Sequence, residues 1–204
     1  MKTLLIGASG LLGKELQKYI KCDCPSHQKL DITKPPFLIT EKYDLVINAA
    51  AYTNVEKAEV EKLKCFDVNV RGVLNLVEAF QETPFVYISS EYARNPVNFY
   101  SLTKSFAEEL VMDHPNHLTI RTLFKPRPWK YPKAFTDQMT QGDYVDVIAP
   151  LIVKAIGEWN REPKLIYIGT GRKTIFDLAV QSRPDVKPMS INDIKTVKLP
   201  ADYQ

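Results

Sequence analysis

Cysteine is nearly missing from this chain. Cys22, Cys24 and Cys65 make an odd count of three, which excludes a framework of paired disulfides and makes a reducing cytoplasm the expected compartment. Long apolar runs are missing too. Nothing approaches the roughly 18 residues a membrane-crossing helix needs, so no membrane partner is expected. The opening MKTLLIGASGLLG superficially resembles a secretory leader, but its apolar stretch breaks at Gly7 and continues into an amphipathic pattern, so it reads as a first strand and loop. An excess of one charge is also lacking. With 27 Lys and Arg against 24 Asp and Glu, the net +3 is too weak to imply nucleic acid and only mildly favours anionic ligands. Cys22, Cys24 and His27 lie close together, yet C-x-C followed by His matches no common zinc spacing. Small buried thiols are expected there, and no metal. Repeats and low-complexity tracts are absent.

What is present is ordinary globular composition, 45% hydrophobic and 25% charged over 204 residues, enough to bury a real core. Strand-length apolar runs alternate with helix-period segments. TLLI (3–6), DLVINAA (44–50), PFVYISS (84–90), HLTIRTLF (117–124) and KLIYIG (164–169) read as strands. Between them, SGLLGKELQKYI places Leu11, Leu12, Leu16 and Ile20 on one helical face. KCFDVNVRGVLNLVEAFQ predicts one long helix, residues 99–112 another, and YVDVIAPLIVKAIGEW a third. This alternation predicts an α/β fold, a Rossmann-type doubly wound parallel sheet covered on both faces. The division expected is a dinucleotide-binding domain over 1–160 and a small C-terminal appendage over 161–204, packed on the same domain. One compositional shift stands out, the basic, proline-rich KPRPWKYPK from Lys125 to Lys133. It is either a solvated connection or a lip beside an anionic ligand.

Glycine is sparse, eight residues in all, yet three of them fall in GASGLLGKEL at a three-residue spacing. A strand turning tightly into a helix leaves N–H groups unpaired at the positive end of the helix dipole. Gly7 would permit the turn, Gly10 would let a pyrophosphate approach the backbone, and Gly13 would allow close helix–sheet packing. The spacing is G-x-x-G-x-x-G, and its place after the first strand strengthens the reading. The adenosine end should lie near CDCPSHQKLDIT, with the second strand ending near Ser26 and His27 and with Lys29 close by. A hydroxyl, an imidazole and an ammonium suit a 2′-phosphate, which favours NADP over NAD; Asp23 would serve NAD if the alignment slips. Asp31 is placed for the adenine edge, or caps a helix before TKPPF. Ala49, Ala50 and Ala51 follow a strand with side chains small enough for a dinucleotide to lie over the backbone.

FYSLTK places Tyr100 and Lys104 one helical turn apart. An ammonium beside a phenol, whose free pKa is about 10, would lower that value toward working pH. Ser90, at the end of the third strand, would steady developing oxyanion charge, and Asn69 would order a proton-relay water behind the lysine. Each has a plainer role available: strand-end serines satisfy backbone groups, and helical asparagines are often simply exposed. The order of the stations along successive strands argues for function.

In these stations, GASGLLGKEL, LDIT, NAAAYTNVEKAE, YISSEY and YSLTK, the chain resembles the extended short-chain dehydrogenase/reductase family, in its dTDP-4-dehydrorhamnose reductase and nucleotide-sugar epimerase branch. The resemblance implies a catalytic trio of Ser90, Tyr100 and Lys104, with Asn69 in support. It implies cofactor contacts from Gly7, Ser9, Gly10, Leu11, Leu12 and Gly13, from Asp31 and Ile32, and from Ala49, Ala50 and Thr53, with Tyr100 and Lys104 also touching the cofactor; the residues themselves add Ser26 and Ala51. Ser90, Glu91 and Tyr92 would face substrate. Tyr92 stands where dehydratases of this group carry a second acid, which argues for reduction or epimerisation. Two departures appear: a short ARNPVNF between Tyr92 and Tyr100, and RTLFKPRPW in place of the family's RT-x-W-x-Y-G. They imply a trimmed sugar lobe, and three explanations fit: a smaller substrate, a pocket completed by a partner chain as in a homodimer, or cofactor binding with little turnover. The activities implied are an NAD(P)-dependent reductase of a nucleotide-activated keto-sugar, an NAD-dependent 4-epimerase, or a cofactor-binding regulatory protein.

Overall fold

The computed structural model describes residues 1–37, 39 and 41–202. Its centre is a five-stranded parallel sheet in the order β1 (Thr3–Ile6), β2 (Leu45–Asn48), β3 (Phe85–Ile88), β4 (His117–Arg121), β5 (Lys164–Tyr167). Register runs Ile6 to Asn48 to Tyr87 to Thr119 to Leu165. β1 to β3 are buried throughout, which explains their unbroken apolar sequences: strands covered on both faces have no solvent side to mark.

Alternate residues feed two cores. Leu5, Leu45, Ile47, Val86, Ile88, Leu118 and Ile120 meet α1 (Leu11–Leu16) and α4 (Val145–Glu158) through Leu12, Leu16, Ile148, Ile152 and Ile156. On the opposite face Leu4, Ile6, Val46, Phe85 and Tyr87 meet α2 and α3 (Phe99–Met112) through Val73, Leu76, Val77, Ala107 and Val111. Here α2 denotes the run made of α-helical Lys62–Phe66, a π-helical turn Asp67–Arg71 and α-helical Gly72–Ala79. The α/β architecture expected from the alternation is the one observed. A third apolar cluster joins Tyr92, Tyr100, Leu123, Trp129 and Tyr144 to Ile175, Leu178 and Val186. It packs the helix α5 (Ile175–Val180), capped by Thr174 and Asp177, against the 123–144 stretch.

Several expectations need correcting. The strand expected to end near Ser26 is a single bridge, Asp23 to Leu4, with Asp23 donating to the Thr3 carbonyl and accepting from Leu5. It still lies on the far side of β1 from β2, so the chain turns first one way and then the other from the C-terminal end of β1. α1 stops at Leu16, and Leu11 is exposed rather than inward. The long helix is interrupted at Asp67–Arg71. The fourth strand ends at Arg121, and Phe124–Lys125 pairs instead with Asp143–Tyr144. Of the thiols only Cys65 is buried; Cys22 is half-buried and Cys24 exposed.

Gly7 has φ +83°, and a Cβ on it would fall 2.5 Å from the Ala50 nitrogen and 2.6 Å from the Ala49 carbonyl carbon. At Gly13 a Cβ would fall 2.2 Å from the Gly7 oxygen and 2.6 Å from the Ala8 Cα. Both contacts are with backbone, which cannot swing aside. Gly13→Ala should therefore cost about 1–3 kcal/mol in urea unfolding. Gly171→Ala, where a Cβ would meet nothing within 4 Å, should change stability by less than about 0.5 kcal/mol.

Candidate active site

The first turn of α1 opens from Gly10, an N-cap with no side chain to satisfy the helix amides. A Cβ at Gly10 would touch only the Gly7 oxygen, at 3.2 Å, so the backbone there is open on its outer side. Ser9, Gly10 and Leu11 are exposed, whereas Leu12 is buried in the core. Directly across the Gly7 contact lie Ala49, Ala50 and Ala51, half-buried, with Thr53 exposed beyond them. The Ala50 amide donates to Asn48 Oδ1 at 3.0 Å, which turns the chain off β2.

Asn69 holds the next residue of this loop. Its Oδ1 accepts from the Tyr52 amide at 2.8 Å, and its Nδ2 donates to the Tyr52 carbonyl and to Thr103 Oγ1, both at 3.1 Å. Thr103 in turn donates to the Tyr100 carbonyl at 2.7 Å. Asn69 thus ties the strand-end loop to the helix that carries Tyr100. Both Nδ2 hydrogens are occupied, so the side chain acts as a clamp between the loop and the helix. The π-helical turn is what brings Asn69 to face that loop.

At the adenosine end, Ser26 and His27 form a turn closed by the Lys29 and Leu30 amides on the Ser26 carbonyl. Ser26, His27 and Lys29 are exposed. Asp31 accepts from the Thr33 hydroxyl at 2.7 Å and the Thr33 amide at 3.0 Å. Chiefly that hydroxyl holds its carboxyl below the ordinary value, with Lys34 and His27 assisting. His27 Nε2 stands 3.7 Å from Asp31. Ile32 is buried with its side chain against Gly72, while its carbonyl accepts from Asn75.

Ser90, Glu91, Tyr92, Tyr100 and Lys104 come together beyond the end of β3, all buried. Ser90 lies close enough to Tyr100 to act on its phenol, and Ser90 Oγ accepts from the Tyr92 amide at 3.2 Å. Tyr92 meets Tyr100 edge-on, ring centres 6.1 Å apart. Burial raises the phenol of Tyr100 to about 12, with the neighbouring Ser90 pulling the other way. The expected ammonium–phenol pairing is not the one observed. Lys104 Nζ donates to the Ile88 carbonyl at 2.9 Å and lies 4.3 Å over the Tyr87 ring. Burial pushes it down to about 7. Helical spacing puts the two side chains on one face, but a buried ammonium needs a full acceptor, and the end of β3 offers one. Beneath them Arg121 grips Glu108 through Nε and Nη2 at 2.9 and 2.5 Å, and Ser89 donates to the same carboxylate.

Against this geometry stand the known proteins. Residues 1–154 match the model of the RmlD substrate binding domain family. The chain belongs to that family. It is 30% identical over 148 residues to a dTDP-4-dehydrorhamnose reductase of Aggregatibacter actinomycetemcomitans, a match covering 59% of this chain and half the length of that relative. The crystal structure of a dTDP-4-dehydrorhamnose reductase from Clostridium acetobutylicum superposes with a TM-score of 0.86 at 25% identity, covering 100% of this chain and 89% of that one. A dTDP-4-dehydrorhamnose reductase from Bacillus anthracis, solved in complex with NADP, shares the fold at 22% identity with a TM-score of 0.82, covering 100% of this chain and 88% of that one.

Relative to the sequence reading of this RmlD-family chain, two features are added. Glu91 is not merely beside Ser90 but locked in: it accepts from Thr140 Oγ1 at 2.8 Å and the Gln141 amide at 3.2 Å. Burial raises its carboxyl to about 7 against those hydrogen bonds. Lys125, half-buried, faces it from the 123–144 stretch. Gly142, where a Cβ would strike the Leu123 oxygen at 2.4 Å, allows the close approach that sets the preceding Thr140 and Gln141 against Glu91.

A carboxyl raised from 4.5 to about 7 keeps a proton in the folded state that the unfolded chain has released. Stability therefore falls as pH climbs through that window, by about 3 kcal/mol in total. Glu91→Gln should abolish this slope, so that urea midpoints of wild type and variant diverge between pH 5 and 7, the variant being favoured at the upper end. Asn69→Ala, which leaves both polar groups of Tyr52 unpaired, should cost about 2 kcal/mol in the same measurement.

Proposed function

We propose that the chain is an NADP(H)-dependent oxidoreductase that reduces a keto group on a nucleotide-activated sugar, with Tyr100 as the proton donor. The observation that carries this is the buried cluster of Ser90, Tyr100 and Lys104 beyond the end of β3, at the edge of the sheet where the glycine turn also lies. The cofactor contributes hydride. The residues fit such a ligand: Gly10 leaves the backbone open on its outer side, α1 begins with amides that no side chain caps, and the alanines after β2 form a low floor. Ser26, His27 and Lys29 would receive a 2′-phosphate, the group carried by the NADP with which one relative was solved. Asp31, in this reading, meets the adenine edge, and Ile32, Thr53 and Ser9 line the same path.

Ser90 orients the substrate carbonyl and stabilises the developing oxyanion. Tyr100 is protonated across the physiological range, the form in which it must begin a reduction. As negative charge develops on the substrate oxygen, the phenolic proton transfers to it. Lys104, held on the Ile88 carbonyl, stands one helical turn away as the cation that would steady the phenolate. Asn69 keeps Tyr52 and the helix of Tyr100 in register. Glu91 and Tyr92 shape the substrate side.

Tyr100→Phe should lower kcat for NADPH-dependent reduction of dTDP-4-keto-6-deoxyhexose about 10²- to 10⁴-fold, while calorimetry shows NADPH affinity unchanged within threefold. Wild-type protein should bind NADPH more tightly than NADH. Full activity in the phenylalanine variant would remove Tyr100 from the mechanism, and failure to bind either nucleotide would end the proposal.

A further inference from the structure

The basic, proline-rich segment noted in the sequence lines a cavity of about 380 Å³. Its walls are largely aromatic and apolar, with Tyr92, Trp129, Phe135 and Ile175 among them, and Tyr92 is the ring that meets Tyr100 edge-on. Two cations, Lys125 and Lys133, line it, and no Asp or Glu does. Lys133 is exposed at the surface, whereas Lys125 is half-buried.

Lys125 differs from the other buried ions of this protein. Glu108 has Arg121, Asp143 has Lys173 and Thr170, and Glu91 has Thr140 and Gln141. The ammonium of Lys125 makes no hydrogen bond and no ion pair within 4.0 Å among the described residues; Glu91 acts on it only from farther off. An ammonium carries three donors, and withdrawing them from water without an acceptor is costly. The carboxylate it faces is already occupied by a hydroxyl and an amide. Among the described residues no group bonds to its charge directly, and it lines a cavity whose wall residue Tyr92 meets the proposed proton donor.

We propose that Lys125 is the anion anchor of this cavity, meeting a phosphate or carboxylate on the substrate and selecting an acidic ligand over its neutral counterpart. This rests on the reductase reading and narrows it. The group bound lies close to the reacting carbonyl, because Tyr92 both lines the cavity and meets Tyr100 edge-on. The aromatic walls take the planar or apolar part of the same molecule.

The test is calorimetry on the NADPH-loaded protein with four probes: dTDP, thymidine, D-glucuronate and D-glucose. The expected result is binding of dTDP or D-glucuronate with at least tenfold preference over its uncharged partner. Lys125→Met, which keeps the apolar stem, should erase that preference, and Lys125→Arg should retain it within threefold. Binding of dTDP identifies a phosphate and binding of D-glucuronate a carboxylate. On wild-type protein, the bound probe should also shield Lys125 from acetic anhydride, read by peptide mass spectrometry, which keeps the test independent of whether the variants fold. Failure of both acids to bind, an unchanged preference in Lys125→Met, or acetylation of Lys125 unaffected by a saturating probe would each overturn the proposal. NADPH binding by wild type separates the two readings, since its loss would sink the reductase assignment and its retention with failed probes only this anchor.

Discussion

The C-terminal edge of the sheet depends on one close approach, the backbone of Gly7 against that of Ala49 and Ala50. No side chain fits between them. The contact brings the turn after β1 and the loop after β2 together, and Asn69 then couples that loop to the helix of Tyr100. A displacement at Gly7 would be felt two strands away, because each link is backbone or a fully engaged amide, with little slack to absorb it.

Burial is the largest cause of shift for every strongly perturbed group around Ser90. It holds the proton on Tyr100, loosens the one on Lys104 and brings Glu91 toward neutrality. Charge–charge attraction, the effect that spacing in the sequence brings to mind, is the smaller influence here. Environments of this kind mark functional clefts, where low dielectric makes each remaining dipole count for more.

How far the sequence could be read follows from what each element owes to local pattern. Phe99–Met112 is legible to the residue because Asn98 and Ser101 form a capping box and the apolar stripe is regular. The β1 strand and the glycine turn are equally plain. The rung at Asp23 carries no pattern, since one bridge imposes no alternation. The interruption of α2 escaped because a π-helical turn adds a residue without breaking the apolar stripe for long. For Lys104, spacing specified the helical face but not the acceptor, and the Ile88 carbonyl is contributed by a distant part of the chain. The clasp on Glu91 was invisible for the same reason: Thr140 and Gln141 reach it only once the 123–144 stretch has folded back.

The single rung on the outer side of β1 gives the two halves of the sheet unequal standing. Between β2 and β5 every strand is stitched to its neighbours along its length, whereas residues 24–29 are held by Asp23 and a turn before Leu30 enters the core. Amide exchange there is governed by local fraying and not by global opening. In the reading proposed above, its exposed positions Ser26, His27 and Lys29 can be rewritten one at a time, altering which coenzyme is preferred, while the folded core scarcely registers the change.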